Sequence, residues 1–151
     1  MSFRGNIICV PPALVAELWP IIGPQLLRGL MAGGDDLEVV ENGFRDALEG
    51  VFDNTHQVWI ITEDGPPRIR ATFGTRIFID EQHRKVLEVS ALGGEGIKEW
   101  GVPATQRMVE FGRAEGCDVL LGYGRPALAR VYENMKIVGN TRNLAILERA
   151  L

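Results

Sequence analysis

At 151 residues, 46% of them hydrophobic and 24% charged, the chain holds one domain's worth of material. That is enough to bury about two thirds of the surface exposed by its unfolded form, and it excludes both a second full domain and a disordered or collagen-like chain. The 16 basic and 20 acidic residues leave a formal charge of −4, the opposite of the basic stripe that phosphate backbones select, which argues against bulk nucleic-acid binding.

The most apolar stretch, Val10 to Met31, approaches bilayer-spanning length. Glu17 and Arg28 charge it, Pro11, Pro12, Pro20 and Pro24 interrupt it, and no basic start with a small-residue cleavage site precedes it, so it reads as soluble core-forming structure. Leu14, Leu18, Ile22, Leu26 and Leu30 recur every four residues after the Pro11-Pro12 start signal, which predicts a helix that Pro24 should break or kink. Gly33-Gly34-Asp35 forms a turn, and a second helix follows from about Leu37, burying Leu37, Val40, Phe44, Leu48 and Val51. Helices therefore come first.

From Gln57 the pattern changes to strands. Val58 to Thr62 is short, apolar and β-branched; Glu63-Asp64-Gly65-Pro66-Pro67 is a turn; and Ile69, Ala71 and Phe73 then alternate with Arg70, Thr72 and Gly74 up to Asp80. Gly74 marks a bulge, Asp80-Glu81-Gln82-His83 closes the strand, and a third strand from Lys85 to Leu92 ends in the loop Gly93-Gly94-Glu95-Gly96. Residues 57 to 92 thus form an antiparallel meander. A helix between Ile97 and Glu115 buries Ile97, Trp100, Ala104, Met108 and Phe111 and stops at Gly116. Asp118 to Tyr123 is a buried strand, Pro126 to Asn134 a short helix, and Leu144 to Leu147 a closing strand after a Gly139-Asn140 turn. The order is α-α-β-β-β-α-β-α-β, a single α/β domain over residues 1 to 151 whose mixed sheet carries helices on both faces.

One unit in that order locates a ligand: strand 85 to 92, crossover helix, strand 118 to 123. The crossover makes the two strands parallel, and ligands of α/β sheets gather beyond the carboxyl ends of such strands. Gly93-Gly94-Glu95-Gly96 and Gly122-Tyr123-Gly124-Arg125 flank that point, so backbone can approach a ligand closely, and Arg125 adds a charge suited to phosphate oxygens. A glycine-rich strand end is equally well a plain turn. Cys9 and Cys117 read as reduced, buried thiols of a cytosolic protein, Trp19, Trp59 and Trp100 as core, and His56 and His83 lack the neighbours that a metal site needs.

The element order, the run Val86-Leu87-Glu88-Val89-Ser90 with its glycine loop, and Ala127-Leu128-Ala129-Arg130-Val131-Tyr132-Glu133-Asn134 together resemble the GNAT superfamily of acyl-CoA-dependent N-acyltransferases. The resemblance implies a GNAT-like fold, acetyl-CoA as co-substrate, no metal, and transfer of an acetyl group to a small-molecule or protein amine. It implies that Tyr132 protonates the leaving thiolate and that Ser90, Leu92, Gly93, Gly94, Gly96, Ile97 and Arg125 hold the acetyl-CoA. Glu88 is the candidate base, because a carboxylate on an apolar strand takes a proton more readily than one in water, although a solvated or ion-paired strand glutamate is the commoner reading of such a residue. Gly93 to Lys98 departs from the family's pyrophosphate loop in lacking its leading Arg or Gln, and Met135-Lys136-Ile137 lacks its Gly-Phe. Trp19-Pro20-Ile21-Ile22-Gly23-Pro24, Gln57-Val58-Trp59, Glu99-Trp100 and Gly122-Tyr123-Gly124-Arg125 are similar to divergent GNAT-like proteins of tailed phages and prophages. That likeness implies the alternative of a catalytically weak or inactive phage protein, serving as a binding module or virion component with a phage protein partner. Neither reading involves a membrane, and the oligomeric state is left open.

Overall fold

The computed structural model describes residues 3–31, 37–53, 55–63, 68–94, 97–124, 135–140 and 144–151. Its elements in chain order are β1 (Gly5–Cys9), α1 (Pro12–Met31), α2 (Leu37–Phe52), β2 (His56–Glu63), β3 (Ile69–Ile79), β4 (Lys85–Gly94), α3 (Ile97–Ala114), β5 (Val119–Gly124), β6 (Lys136–Asn140) and β7 (Ala145–Ala150). The seven strands form one mixed sheet in the order β1-β2-β3-β4-β5-β7-β6. The antiparallel meander β2-β3-β4, the parallel β4-β5 pair and the α3 crossover are those expected from the sequence.

Alternation along β2 divides the core between the two faces of the sheet. Trp59 and Ile61 join Phe73, Leu87 and the α3 residues Trp100, Ala104 and Met108 in one cluster. Val58 and Ile60, one residue out of phase, join Val15, Ile22 and Leu26 of α1 and Val51 of α2 in the other. Trp59 anchors the first cluster, stacked on Phe73 at 5.9 Å and meeting Phe111 edge-on at 5.0 Å. Its indole N–H donates to the buried Thr75 hydroxyl at 3.0 Å, which donates in turn to Gln57 at 2.8 Å. Among the described residues no buried side-chain nitrogen or oxygen lacks a partner, as a folded interior demands.

Several expectations are corrected. Strand β1 precedes the helices and pairs antiparallel with β2 from Gly5↔Glu63 to Cys9↔Trp59. Its Gly5-Asn6-Ile7-Ile8-Cys9 is short and lies at the sheet edge, so little local patterning marks it. Helix α1 runs through Pro20 and Pro24 without ending. Each proline costs a helical donor, but Ile22 and Leu26 are buried on either side of Pro24, and that packing outweighs the lost bonds. The buried stripe of α1 is Val15, Ile22 and Leu26, while Leu14 of the expected stripe is 43% exposed.

Strand β4 continues through Gly93 and Gly94, paired with Thr72 and Ala71, where a loop was expected, because the long β3 offers ladder partners that far. The bulge opposite Gly74 inserts its extra residue on the other strand: Gly74 pairs with Ala91 and Thr75 with Val89, which leaves Ser90 between them. Gly139 and Asn140, expected as a turn, end strand β6 and pair with Ile146 and Ala145. Helix α3 stops where expected, with Gly116 in the left-handed region at φ 74° and the Cys117 amide donating to the Gly112 carbonyl. The turn after β3 is built on Asp80, whose carboxylate accepts from the Gln82 and Arg84 amides and the Arg84 guanidinium. Arg84 also grips Glu148 of β7 at 2.8 and 3.3 Å. No described helix is long and apolar enough to cross a membrane. The expected turns at 33–35 and 64–67 and the helix 126–134 lie outside the described residues.

Candidate functional site

Strands β4 and β5 pair over Val86↔Val119, Leu87↔Leu120 and Glu88↔Leu121, and there their ladder stops. Each keeps its other neighbour beyond that point: β4 stays on β3 as far as Gly94, and β5 stays on β7 as far as Gly124. Two parallel strands thus part at Glu88. A parting inside a sheet leaves peptide N–H and C=O groups on the two facing edges without their ladder partners, and such groups need hydrogen bonds from something else. The arms of the opening are Val89 to Gly94 on one side and Gly122 to Gly124 on the other.

Glu88 sits at the apex, only 5% exposed. It is the last paired residue of β4, directly opposite Arg76 on β3 and Leu121 on β5. Arg76 clamps it with two bonds, from Nε to Oε1 at 2.7 Å and from a terminal guanidinium nitrogen to Oε2 at 3.2 Å. Tyr123, two residues beyond Leu121 and therefore on the same face of β5, donates its hydroxyl to Oε2 at 2.9 Å. Burial, and then the Glu88 charge and hydrogen bond, push the Tyr123 hydroxyl up to about 12. The hydrogen bond to Glu88 likewise raises Arg76, so the guanidinium stays charged and its carboxylate partner is held by charge-assisted bonds. A carboxylate offers about four lone-pair positions. Among the described residues, Arg76 and Tyr123 fill three of them and one on Oε1 is left for an incoming N–H.

The same row of the sheet continues to His56 on β2, the direct partner of Arg76. Burial, followed by the Arg76 charge, holds His56 below its usual range and favours the neutral imidazole. Burial also raises the thiols of Cys9 and Cys117, which places both among protonated, unreactive cysteines. Among the described residues no group of three or more His, Cys, Asp or Glu could hold a metal ion.

Of the residues singled out in the sequence, Glu88, Ser90, Leu92, Gly93 and Gly94 share strand β4 and Ile97 opens α3. The bulge residue Ser90 and then Leu92 to Gly94 run along one arm of the opening. Gly96, Arg125 and Tyr132 lie outside the described residues. Arg76 and Tyr123 were not singled out as site residues. Their signals, an arginine on an apolar strand and a tyrosine between two glycines, acquire meaning only once the register sets both beside Glu88.

No protein-family model and no curated protein sequence matches the chain. Solved structures match its fold. A GNAT-family acetyltransferase from Staphylococcus aureus Mu50 superposes with a TM-score of 0.61 at 11% identity, over 98% of this chain and 99% of its own. A predicted acetyltransferase from Clostridium acetobutylicum, solved with acetyl-CoA, gives 0.57 at 15% identity over 85% and 88% of the two chains. The spermidine/spermine N-acetyltransferase of Vibrio cholerae, solved in mutant forms, gives 0.59 at 7% identity over 97% and 94%. The fold is that of the GNAT acyltransferases, as the element pattern led us to expect.

Proposed function

We propose that this chain is an acyl-CoA-dependent N-acyltransferase that carries an acetyl group from acetyl-CoA to a small-molecule or protein amine. The observation that carries this reading is the parting of β4 and β5 just beyond Glu88. It leaves two facing strand edges without their ladder partners, suited to the amide-rich pantetheine arm, and the β4 edge ends in two glycines over which a pyrophosphate can lie close to backbone. A neighbour of the same fold is solved with acetyl-CoA, which supports the choice of donor. Ser90, Leu92, Gly93, Gly94, Gly96 and Ile97 would line the donor, with Arg125 against its phosphates.

In this reading the open lone pair of Glu88 Oε1 accepts a proton from the acceptor ammonium. The freed amine nitrogen bonds to the thioester carbonyl carbon, the C–S bond breaks, Tyr132 gives its proton to the sulfur, and the second proton that the nitrogen loses on becoming an amide restores the tyrosine hydroxyl, while the proton on Glu88 passes to solvent. The products are an N-acetyl amide and CoA, with one proton released overall.

The test is release of free CoA, followed with a thiol-reactive dye, from acetyl-CoA and a broad panel of amines and peptides. Turnover with the parent and its fall by roughly 10² to 10⁴ in Tyr132→Phe support the reading, that being the usual contribution of a general acid. No release with any acceptor, and no rise in melting temperature with acetyl-CoA, would favour the non-catalytic phage binding module, whose motive is the missing Arg or Gln ahead of Gly93.

A further inference from the structure

We propose that Tyr123 is a positioning residue for Glu88, a hydrogen bond thrown across the opening from β5 to β4 that fixes which oxygen of the base faces the acceptor amine. The inference rests on the acyltransferase reading and goes beyond it. Glu88 closes the last ladder pair, opposite Leu121, while Tyr123 stands on the β5 arm two residues further on, 35 residues after Glu88 in the chain. No backbone bond of the β4-β5 ladder holds the strands at that level, so the 2.9 Å side-chain bond does so instead.

The geometry sorts the two oxygens. Among the described residues, Oε2 accepts from Arg76 and Tyr123 together, whereas Oε1 carries the Arg76 Nε bond alone. Without the tyrosine hydroxyl both oxygens would each keep one lone pair open, and the carboxylate would have two competing ways to meet an ammonium. Tyr123 itself is 38% exposed and is not enclosed by the core, so packing alone does not explain its place. Among the described residues, the charged and titratable groups around Glu88 are Arg76 on β3, Tyr123 on β5 and, one strand further, His56 on β2, which feels the charges of Arg76, Asp46 and Glu88. Tyr123 and His56 therefore shift in opposite directions, the hydroxyl up to about 12 and the imidazole below its usual range.

The experiment is the pH profile of kcat and kcat/KM for the parent, Tyr123→Phe and His56→Gln, with an acceptor amine that the parent turns over. Tyr123→Phe should lower kcat about tenfold or more, the order expected for one hydrogen bond to a charged group. It should leave the acetyl-CoA dissociation constant and KM near the parent values, so that the loss falls on kcat. His56→Gln shows how much of the acid limb of the profile belongs to histidine. A second measurement does not need turnover: absorbance titration of tyrosinate in a Tyr132→Phe background, in which Tyr123 is the one remaining tyrosine. Glu88→Gln should bring the Tyr123 ionisation down by about a unit as the neighbouring charge disappears. A parent that turns over while Tyr123→Phe keeps its kcat overturns this proposal and leaves the acyltransferase reading standing. An unmoved tyrosinate titration in Glu88→Gln overturns it on geometry, and a parent that acetylates no amine overturns both.

Discussion

Replacing Arg76 with Met is the most informative perturbation of the fold, because it keeps most of the side-chain stem and deletes the charge that partners a buried carboxylate. The Glu88 side chain is 6% exposed and that of Arg76 43%, so the pair is buried on one side only. Removing one member of a fully buried pair costs about 3–5 kcal/mol, since the survivor is left charged and out of water. The open side of Arg76 lets water recover part of that loss. The guanidinium also lies 4.5 Å above the Phe78 ring, a contact worth about 0.5–1 kcal/mol at a partly exposed site. We therefore expect a destabilisation of about 2–4 kcal/mol at pH 7, or a fall of roughly 4–16 °C in melting temperature for a domain of this size. Urea unfolding followed by tryptophan fluorescence measures it, with Trp59 at the centre of the core. The double variant with Glu88→Gln should recover a large part of the loss, giving a coupling of about 1 kcal/mol or more. A single-variant cost below about 0.5 kcal/mol with no coupling, as for an ordinary surface pair, would refute the reasoning.

Three further outcomes follow from the packing and the charges. Gly50→Ala lies within α2, where alanine normally gains up to about 1 kcal/mol over glycine, but its Cβ would fall 1.7 Å from Nδ1 of His56. The ring is tied to the Thr55 hydroxyl at 3.1 Å, so the substitution should destabilise by about 1–3 kcal/mol in urea unfolding, and a gain in stability would show that the ring moves freely. Trp59→Phe removes both ring volume and the bond to Thr75 and should cost about 2–4 kcal/mol, against less than about 0.5 for Ile137→Thr on the exposed strand β6. Acid should lower the melting temperature in two stages. His56 is held below its usual 6.5, first by burial, so the unfolded chain binds its proton first and stability declines as pH falls below that value. Asp80, held below its usual 3.8 chiefly by the Arg84 amide, contributes stability above that pH which is lost as pH falls through its lower folded value. His56→Gln should remove the first stage and leave the second; a melting curve unchanged by that substitution would assign the first stage to other groups.

What could be read in the sequence follows from how local each signal is. Helix α3 shows its face in Trp100, Ala104 and Met108 and its stop in Gly116, and the parallel β4-β5 pair follows from α3 lying between two apolar strands. Strands β1 and β6 are five residues each at the two edges of the sheet; their place depends on a neighbour's ladder rather than on their own pattern. The prolines of α1 point against a continuous helix, and burial of Ile22 and Leu26, a tertiary term, decides otherwise. Glu88 stood out because a charge on an apolar strand is conspicuous. Its partners did not, since Arg76 comes to it through antiparallel register and Tyr123 through parallel register from 35 residues away. A one-residue slip of either strand would send those side chains to the opposite face, and nothing local in the sequence specifies that register.

The claim on which the function rests is that the opening between β4 and β5 holds an acyl-CoA with its pyrophosphate over the glycines at the end of β4. Calorimetric titration of acetyl-CoA into the parent and into Gly94→Val, with circular dichroism to confirm that both are folded, tests it most directly. The account predicts binding to the parent and its loss in the variant, whose added bulk stands where backbone should meet phosphate. Equal binding to both proteins, or none to either, would contradict it.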